Sequence, residues 1–198
     1  MILLDILSVF INVIRIILII LAIFHIYKRQ KKMVISLGIV FAFTFLPRVL
    51  EALFGIKMDL LGNILYFVLI VMTIYLGSTL KFYDKFSWWD RLIHFLSGIA
   101  FVSFGIAISI HAGDFNRLYI LFFCLSLSIF LHVIWEVLEY AHDSFYHKNN
   151  QRWQRVTASN NHKPESAIQP SGLVDTMNDT IICMVSTVIT CFIWWFIL

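Results

Sequence analysis

The sequence predicts an all-α fold, a polytopic membrane helix bundle with about six transmembrane helices. Composition is the first reason, because 60% of the 198 residues are hydrophobic and only 14% are charged, whereas soluble domains carry about 25% charged residues. The second reason is the length of the apolar runs, each close to the roughly 20 residues that a spanning helix needs. The third is that basic residues are concentrated in alternate connections between these runs.

Six apolar runs account for nearly the whole chain. They lie at 2–27, 33–54, 60–80, 92–112, 117–141 and 174–197. The remaining long segment, 142–173, is polar and too short to bury a core of its own. We therefore expect a single integral membrane domain over 1–198, in which 142–173 is a long cytoplasmic loop, either solvated or a lid over a functional site.

The positions of lysine and arginine predict the orientation. The first connection, 28–32, reads KRQKK, and the third and fifth are also basic, whereas the second and fourth are nearly neutral. Basic connections are retained in the cytoplasm, so both termini should lie on the outer side of the membrane. Topology thus accounts for the net charge of +3, and we expect membrane lipids rather than nucleic acid as partners.

Polar side chains recur at helical spacing in the last three runs. Placing an ionised carboxylate near the centre of a membrane helix costs roughly 2.5–3.5 kcal/mol. Three polar faces result, formed by Asp90, His94, Ser97 and Gly98 in the fourth run, by His132, Glu136, Glu139, Tyr140 and Asp143 in the fifth, and by Asp175, Asn178 and Asp179 in the sixth. The fourth and sixth runs start at the cytoplasmic side and the fifth ends there. The three faces should therefore meet at one depth in the inner leaflet.

Clustered carboxylates in lipid must share protons, pair with cations or bind a metal. A divalent ion is the simplest partner, with Mg²⁺ or Mn²⁺ favoured if oxygen ligands dominate and Zn²⁺ or Fe²⁺ if histidine binds directly. Spacing alone leaves the identity of the metal open. The candidate metal ligands are His94, Glu136, Asp175 and Asp179, and the candidate catalytic acids and bases are Glu136, Glu139 and Asp90.

Simpler structural roles compete with this interpretation at the helix ends. Asp90 and Asp175 each begin an apolar run, where aspartate caps a helix and complements its dipole. Glu139 is also close enough to the end of its run to face interfacial water. His94, Glu136 and Asp179 lie deeper, where neither explanation suffices.

The amino-terminal half carries one unusual charge, Arg15, near the middle of the first run. A buried arginine is costly, so a partner on this or the next helix is expected. Glu51 and Asp5 are the candidates, and an ion pair between helices is the favoured interpretation.

Three segments, WDRLIHFLSG at 89–98, EVLEY at 136–140 and QPSGLVDTMNDTI at 169–181, resemble in order and spacing the motifs of the YjdF-like bacterial inner-membrane family. The resemblance covers roughly 84–185. It implies a shared site, carried over onto the matching positions Asp90, His94, Glu136, Glu139, Asp175 and Asp179. A fainter similarity links the same order of residues to VanZ-like proteins, which are associated with glycopeptide resistance. Neither resemblance supplies a reaction.

The favoured function is that of a metal-dependent intramembrane hydrolase or transferase. Its substrate would be a phospholipid or another lipid-linked molecule at the cytoplasmic leaflet, a class inferred from the position of the site alone. One alternative is a transporter that uses the same carboxylates and His94 as a cation or proton relay. The fourth run continues as FVSFGIAISI, whose few small hydroxyls make a poor path. A second alternative is a structural membrane protein whose polar cluster only stabilises helix packing.

Overall fold

The computed structural model describes residues 2–113, 116–146, 151 and 170–198. Within these ranges the chain forms helices and no strands. The elements are α1 (Ile2–Tyr27), α2 (Lys31–Phe43), α3 (Leu46–Phe54), α4 (Leu60–Ile70), a π-helix (Val71–Thr79), α5 (Phe82–Lys85), α6 (Trp89–Ala112), α7 (Arg117–Tyr146) and α8 (Ser171–Trp195).

Six helical segments are long and apolar enough to cross a membrane, which confirms the predicted fold class. They are Leu7–Tyr27, Lys31–Phe54, Leu60–Thr79, Trp89–Ala112, Arg117–Phe145 and Ser171–Trp195. We call the end of the bundle with the three basic connections the basic end, and the other the opposite end. The placement of the basic end in the cytoplasm stays a prediction.

Helix α6 lies at the centre of the carboxy-terminal half, in contact with α4, α7 and α8. A core of Val102, Ile106, Cys124 and Cys191, among others, joins α6, α7 and α8. Next to the polar cluster, Gly98 lets α8 approach so closely that an added Cβ would overlap the Ser186 hydroxyl. A separate core joins α1, α2 and the π-helix.

The second apolar run is broken between α2 and α3, where Pro47 follows the break within the first turn of α3. Proline has no N–H and its ring clashes with the carbonyl four residues earlier, so it interrupts a helix. That carbonyl, on Phe43, instead accepts a hydrogen bond from the Tyr66 hydroxyl at 2.9 Å. The Thr44 carbonyl accepts one from Arg15 Nη2 at 3.0 Å. Side chains from neighbouring helices thus satisfy the backbone groups released at the break.

Arg15 therefore has a different partner from the one predicted. Its Nε also donates to Thr44 Oγ1 at 3.0 Å, and its guanidinium lies 4.0 Å from the centre of the Phe45 ring. Glu51 instead lies 3.9 Å from Lys57 Nζ, so the expected pair between Arg15 and Glu51 is wrong. The side chain of Asp5, the other predicted partner, lies outside the described residues.

Replacing Thr44 with valine should destabilise the fold, because the isosteric change removes the hydroxyl that accepts from Arg15. Leaving one donor of a charged group unpaired costs about 1–3 kcal/mol of unfolding free energy. Thermal unfolding in detergent, followed by circular dichroism, would measure the loss. Thr44→Ser keeps the hydroxyl and should remain close to wild type. Equal stability of the valine and serine variants would contradict this role.

Candidate metal centre

Five buried polar side chains from three helices meet near the basic end of the bundle. Asp90 and His94 come from the first two turns of α6, His132 and Glu136 from α7, and Asp179 from the third turn of α8. None of the five residues is more than 8% exposed. Helical spacing explains the pairs on α6 and on α7, because residues four apart lie on one face. The rotation of the packed helices turns all three faces towards each other.

His94 lies between two carboxylates. Its Nε2 is 3.5 Å from Asp90 Oδ1 and 3.8 Å from Asp179 Oδ2. One potential ligand atom from each of the three residues lies within 4.8 Å of the other two. We call Asp90, His94 and Asp179 the first triad.

His94 also belongs to a second group, formed with His132 and Glu136, whose potential ligand atoms satisfy the same 4.8 Å limit. The rings of His94 and His132 are nearly perpendicular at 87°, with centroids 5.1 Å apart. His132 Nε2 lies 3.6 Å from Glu136 Oε1. The two groups therefore form one continuous cluster that shares His94.

The surroundings of His132 indicate which of its ring nitrogens carries a proton. The Thr180 hydroxyl donates to the Thr176 carbonyl at 2.7 Å and lies 3.1 Å from His132 Nε2. Because the only hydrogen of that hydroxyl is already donated, we assign the Nε2 proton to His132, which donates to Thr180. That proton is therefore committed to Thr180, and His132 Nε2 makes no hydrogen bond to Glu136 Oε1 at 3.6 Å.

Glu136 has an unmatched oxygen. Its Oε1 is buried and has no hydrogen-bond partner among the residues that the structure describes. A buried carboxylate oxygen left unpaired costs free energy unless a proton, a cation or a ligand satisfies it. This atom marks the place in the cluster where a further group fits.

The remaining two predicted site residues lie at the edge of the cluster. Glu139 is partly buried, and its Oε1 accepts a hydrogen bond from Trp135 Nε1 at 2.8 Å. Asp175 is also partly buried, one turn before Asp179 on α8. Neither belongs to the two groups with metal-ligand spacing. Of the six predicted site residues, the structure thus brings Asp90, His94, Glu136 and Asp179 together.

Two residues near the cluster were not singled out by sequence reasoning. Tyr83 lies in α5, between two spans; burial raises the pKa of its hydroxyl, and the nearby carboxylates of Asp90 and Glu139 raise it further. Its ring packs directly against Gly77 of the π-helix. The phenol therefore stays protonated at neutral pH. In sequence it is one aromatic residue among many in FYDKFSWW, so no pattern distinguishes it.

Gln151 is the second, and it comes from the predicted loop at 142–173. Its side-chain Nε2 donates to Thr176 Oγ1 at 3.1 Å and lies 3.5 Å from the Glu136 carbonyl. Its backbone N–H donates to Asp143 Oδ2 at 2.9 Å. Gln151 thus links α7 to α8 beside Glu136. Most of the loop, and with it the prediction of a lid, lies outside the described residues.

A model of the family described as "Predicted membrane protein (DUF2238)" matches residues 10–198, a range that includes every residue of the cluster. A search of curated proteins and a search of solved structures each returned no significant match. YjdF-like proteins make up the matched family, so this part of the predicted resemblance is confirmed, whereas the fainter similarity to VanZ-like proteins stays a prediction. Since the match spans almost all of the chain, the protein belongs to the DUF2238 family of predicted membrane proteins.

Proposed function

We propose that this protein is a metal-dependent membrane enzyme whose divalent ion is held by the first triad, with Glu136 next to it as the general base. The observation that carries the proposal is the combination of three ligand-type side chains from two helices with the unmatched Oε1 of Glu136. Acidic and histidine side chains within membrane helices are rare and usually functional. The sequence alone led to the same class of site.

The geometry and the donor set of the first triad fit a metal. Ligand bonds of about 2.0–2.1 Å at tetrahedral angles place neighbouring donor atoms about 3.3 Å apart. The observed 3.5 Å and 3.8 Å separations from His94 Nε2 to the two aspartates are close to this value. One imidazole with two carboxylates suits Zn²⁺, Mn²⁺ or Fe²⁺ better than Mg²⁺, which prefers oxygen ligands and water.

A divalent ion bound here would polarise a phosphoryl or ester oxygen of the substrate. The protein's own contribution is proton transfer. Glu136 accepts a proton from a water molecule while the oxygen of that water bonds to the phosphorus or carbonyl carbon of the substrate. Glu136 then passes the proton to the leaving oxygen as the bond between that oxygen and the phosphorus or carbon breaks. His132 lies beside Glu136 but donates its Nε2 proton to Thr180, so Glu136 Oε1 remains open to take the proton from water.

The position of the cluster supports an amphiphilic substrate. The site lies inside the span of α6, α7 and α8 but near their basic end, a depth where a lipid phosphate or ester can reach it from the membrane. We therefore propose a phospholipid or lipid-linked phosphate as the substrate, taken from the cytoplasmic leaflet of a bacterial plasma membrane.

The Glu136→Gln variant should lose lipid turnover while keeping its fold. Removing a general base lowers a rate by about 10²–10⁴-fold, so no product should form on the time scale of wild-type turnover. The assay incubates protein in nanodiscs of bacterial lipid with Zn²⁺ or Mn²⁺ and follows the lipids by mass spectrometry. Asp84→Asn, an exposed carboxylate in α5, is the matched control. No metal-dependent product from wild type, or equal turnover by Glu136→Gln, would contradict the proposed reaction.

The alternative function, a proton relay, is supported by buried hydroxyls beyond the cluster. Ser128 of α7 and Thr187 of α8 are fully buried, and their hydroxyl oxygens lie 2.7 Å from each other. In liposomes loaded with a pH-sensitive dye, a relay would give proton flux that is lost in Thr187→Val and needs no lipid product. Lipid turnover without flux would favour the enzyme.

A further inference from the structure

A second candidate site lies at the opposite end of the bundle, away from the metal cluster. A cavity of about 270 Å³ is enclosed mainly by apolar side chains of α6, α4 and α8, with Ser103 in its wall. An adjoining cavity of about 210 Å³ has a more polar lining that includes Arg48 and Glu51. The two share Leu7, Lys57 and Met58, so they form one cleft with an apolar part and a polar part.

Two glycines define how deep this cleft reaches. Gly55, in the connection before α4, packs against His111 in the last turn of α6. Gly62, in the first turn of α4, packs against Ser103, two turns deeper, where an added Cβ would lie 3.1 Å from the Ser103 Cβ. In the sequence, Lys57 and Asp59 lie between Gly55 and Gly62. The Asp59 carboxylate accepts a hydrogen bond from the Gly62 N–H at 2.8 Å, so a charged group adjoins Ser103 at the inner end of the polar part.

Ser103 is the observation that points to a ligand. It is 1% exposed, and its Oγ has no hydrogen-bond partner among the described residues. A serine inside a membrane helix normally donates to a carbonyl of its own helix, as Ser109 does to Gly105 at 2.9 Å. An ester carbonyl of a lipid, located just below its headgroup, is an acceptor of the right type for the free Ser103 hydroxyl.

The charges of the polar part select the headgroup. Among the described residues that line the cleft, Arg48 and Lys57 are matched in number by Glu51 and Asp59, so their formal charges cancel. The pair between Lys57 and Glu51 is loose, at 3.9 Å with both side chains about half exposed. A phosphate fits the two cations and an ammonium fits the two carboxylates. A headgroup with both charges complements the cleft better than one that is purely anionic.

We propose that this cleft binds one phosphatidylethanolamine molecule, with its phosphate on Arg48 and Lys57, its ammonium on Glu51 and Asp59, and one acyl chain in the apolar cavity. Phosphatidylcholine has the same charges, but its methylated ammonium cannot donate to a carboxylate. Phosphatidylglycerol lacks the cation. The site is independent of the metal cluster and of the proposed reaction.

Native mass spectrometry of the protein released from detergent tests the proposal, with the three lipids added in turn on identical acyl chains. Because its ammonium donates hydrogen bonds to charged carboxylates, phosphatidylethanolamine should be retained about tenfold better than the other two lipids. Arg48→Gln should lower retention of all three lipids, because each carries the phosphate, and Glu51→Gln should remove the preference for phosphatidylethanolamine; both positions are exposed. Lys85→Gln, an exposed lysine at the basic end, should leave both the retention and the preference unchanged.

A second variant tests the apolar part of the cleft. Ala107 lines the larger cavity, so Ala107→Phe should fill it and reduce retention of all three lipids. If that variant fails to fold, the two surface variants still decide the question. Equal retention of the three headgroups by wild type, an undiminished preference in Glu51→Gln, or undiminished retention in Arg48→Gln would overturn the proposal.

Discussion

The Gly98→Ala variant should be strongly destabilised, although the substitution adds only one methyl group. The new Cβ would overlap the Ser186 hydroxyl and lie 2.7 Å from the Cys183 carbonyl oxygen and 3.0 Å from Thr187 Oγ1. A hydroxyl can rotate, but the carbonyl belongs to the α8 backbone, so the two helices must separate. Overpacking of this kind costs about 1–3 kcal/mol of unfolding free energy, sometimes more, and we expect the upper end.

Gly38→Ala is the matched control, because an added Cβ in the middle of α2 would meet nothing within 4 Å. Replacing an unobstructed helical glycine usually stabilises a helix by about 0.5–1 kcal/mol. Thermal unfolding in detergent should therefore show a large loss for Gly98→Ala and none for Gly38→Ala. Adding Ser186→Ala to Gly98→Ala removes the clash with the Ser186 hydroxyl but not the one with the Cys183 carbonyl. The double variant should therefore regain only part of the lost stability. Equal behaviour of the two glycine variants would show that α6 and α8 do not pack as described.

The six spans and the approximate site could be predicted from the sequence because both depend on local properties. Bilayer thickness fixes how many apolar residues a span needs, whatever it packs against. Helical periodicity places Asp90 and His94 on one face, and alternation of the spans places Asp179 at a similar depth. The meeting of these three residues in the first triad could therefore be predicted from helical spacing and membrane topology alone.

The finer arrangement depended on packing, which single-sequence patterns do not encode. Glu136 and Glu139 are three residues apart on one broad face, and only the rotation of α7 makes Glu136 the more buried of the two. The Arg15 partner was missed for a related reason. A charge was expected to need a countercharge, but a backbone carbonyl and a hydroxyl at the break before Pro47 satisfy the guanidinium instead.

The Asp179→Asn variant should lose its metal. Asparagine keeps the shape of the side chain but removes the negative charge that, in the proposed site, helps to neutralise the ion. Even loss of a supporting contact typically weakens metal binding by about 10–100-fold, and loss of a charged ligand should weaken it at least as much. Elemental mass spectrometry of protein purified without chelator should find about one equivalent of one metal in wild type and little in this variant.

Asp175→Asn is a sharp comparison for Asp179→Asn, since the same change one turn earlier on α8 lies outside both groups with metal-ligand spacing. The first triad predicts that Asp175→Asn keeps most of its metal, whereas the ligand set inferred from sequence predicts loss from both variants. Asp84→Asn controls for a general effect of removing an acid near the basic end. Metal retained by folded Asp179→Asn, or none in wild type after Zn²⁺ and Mn²⁺ are added back, would contradict the metal site. The carboxylates would then have to be held by shared protons, which is the state that a relay requires.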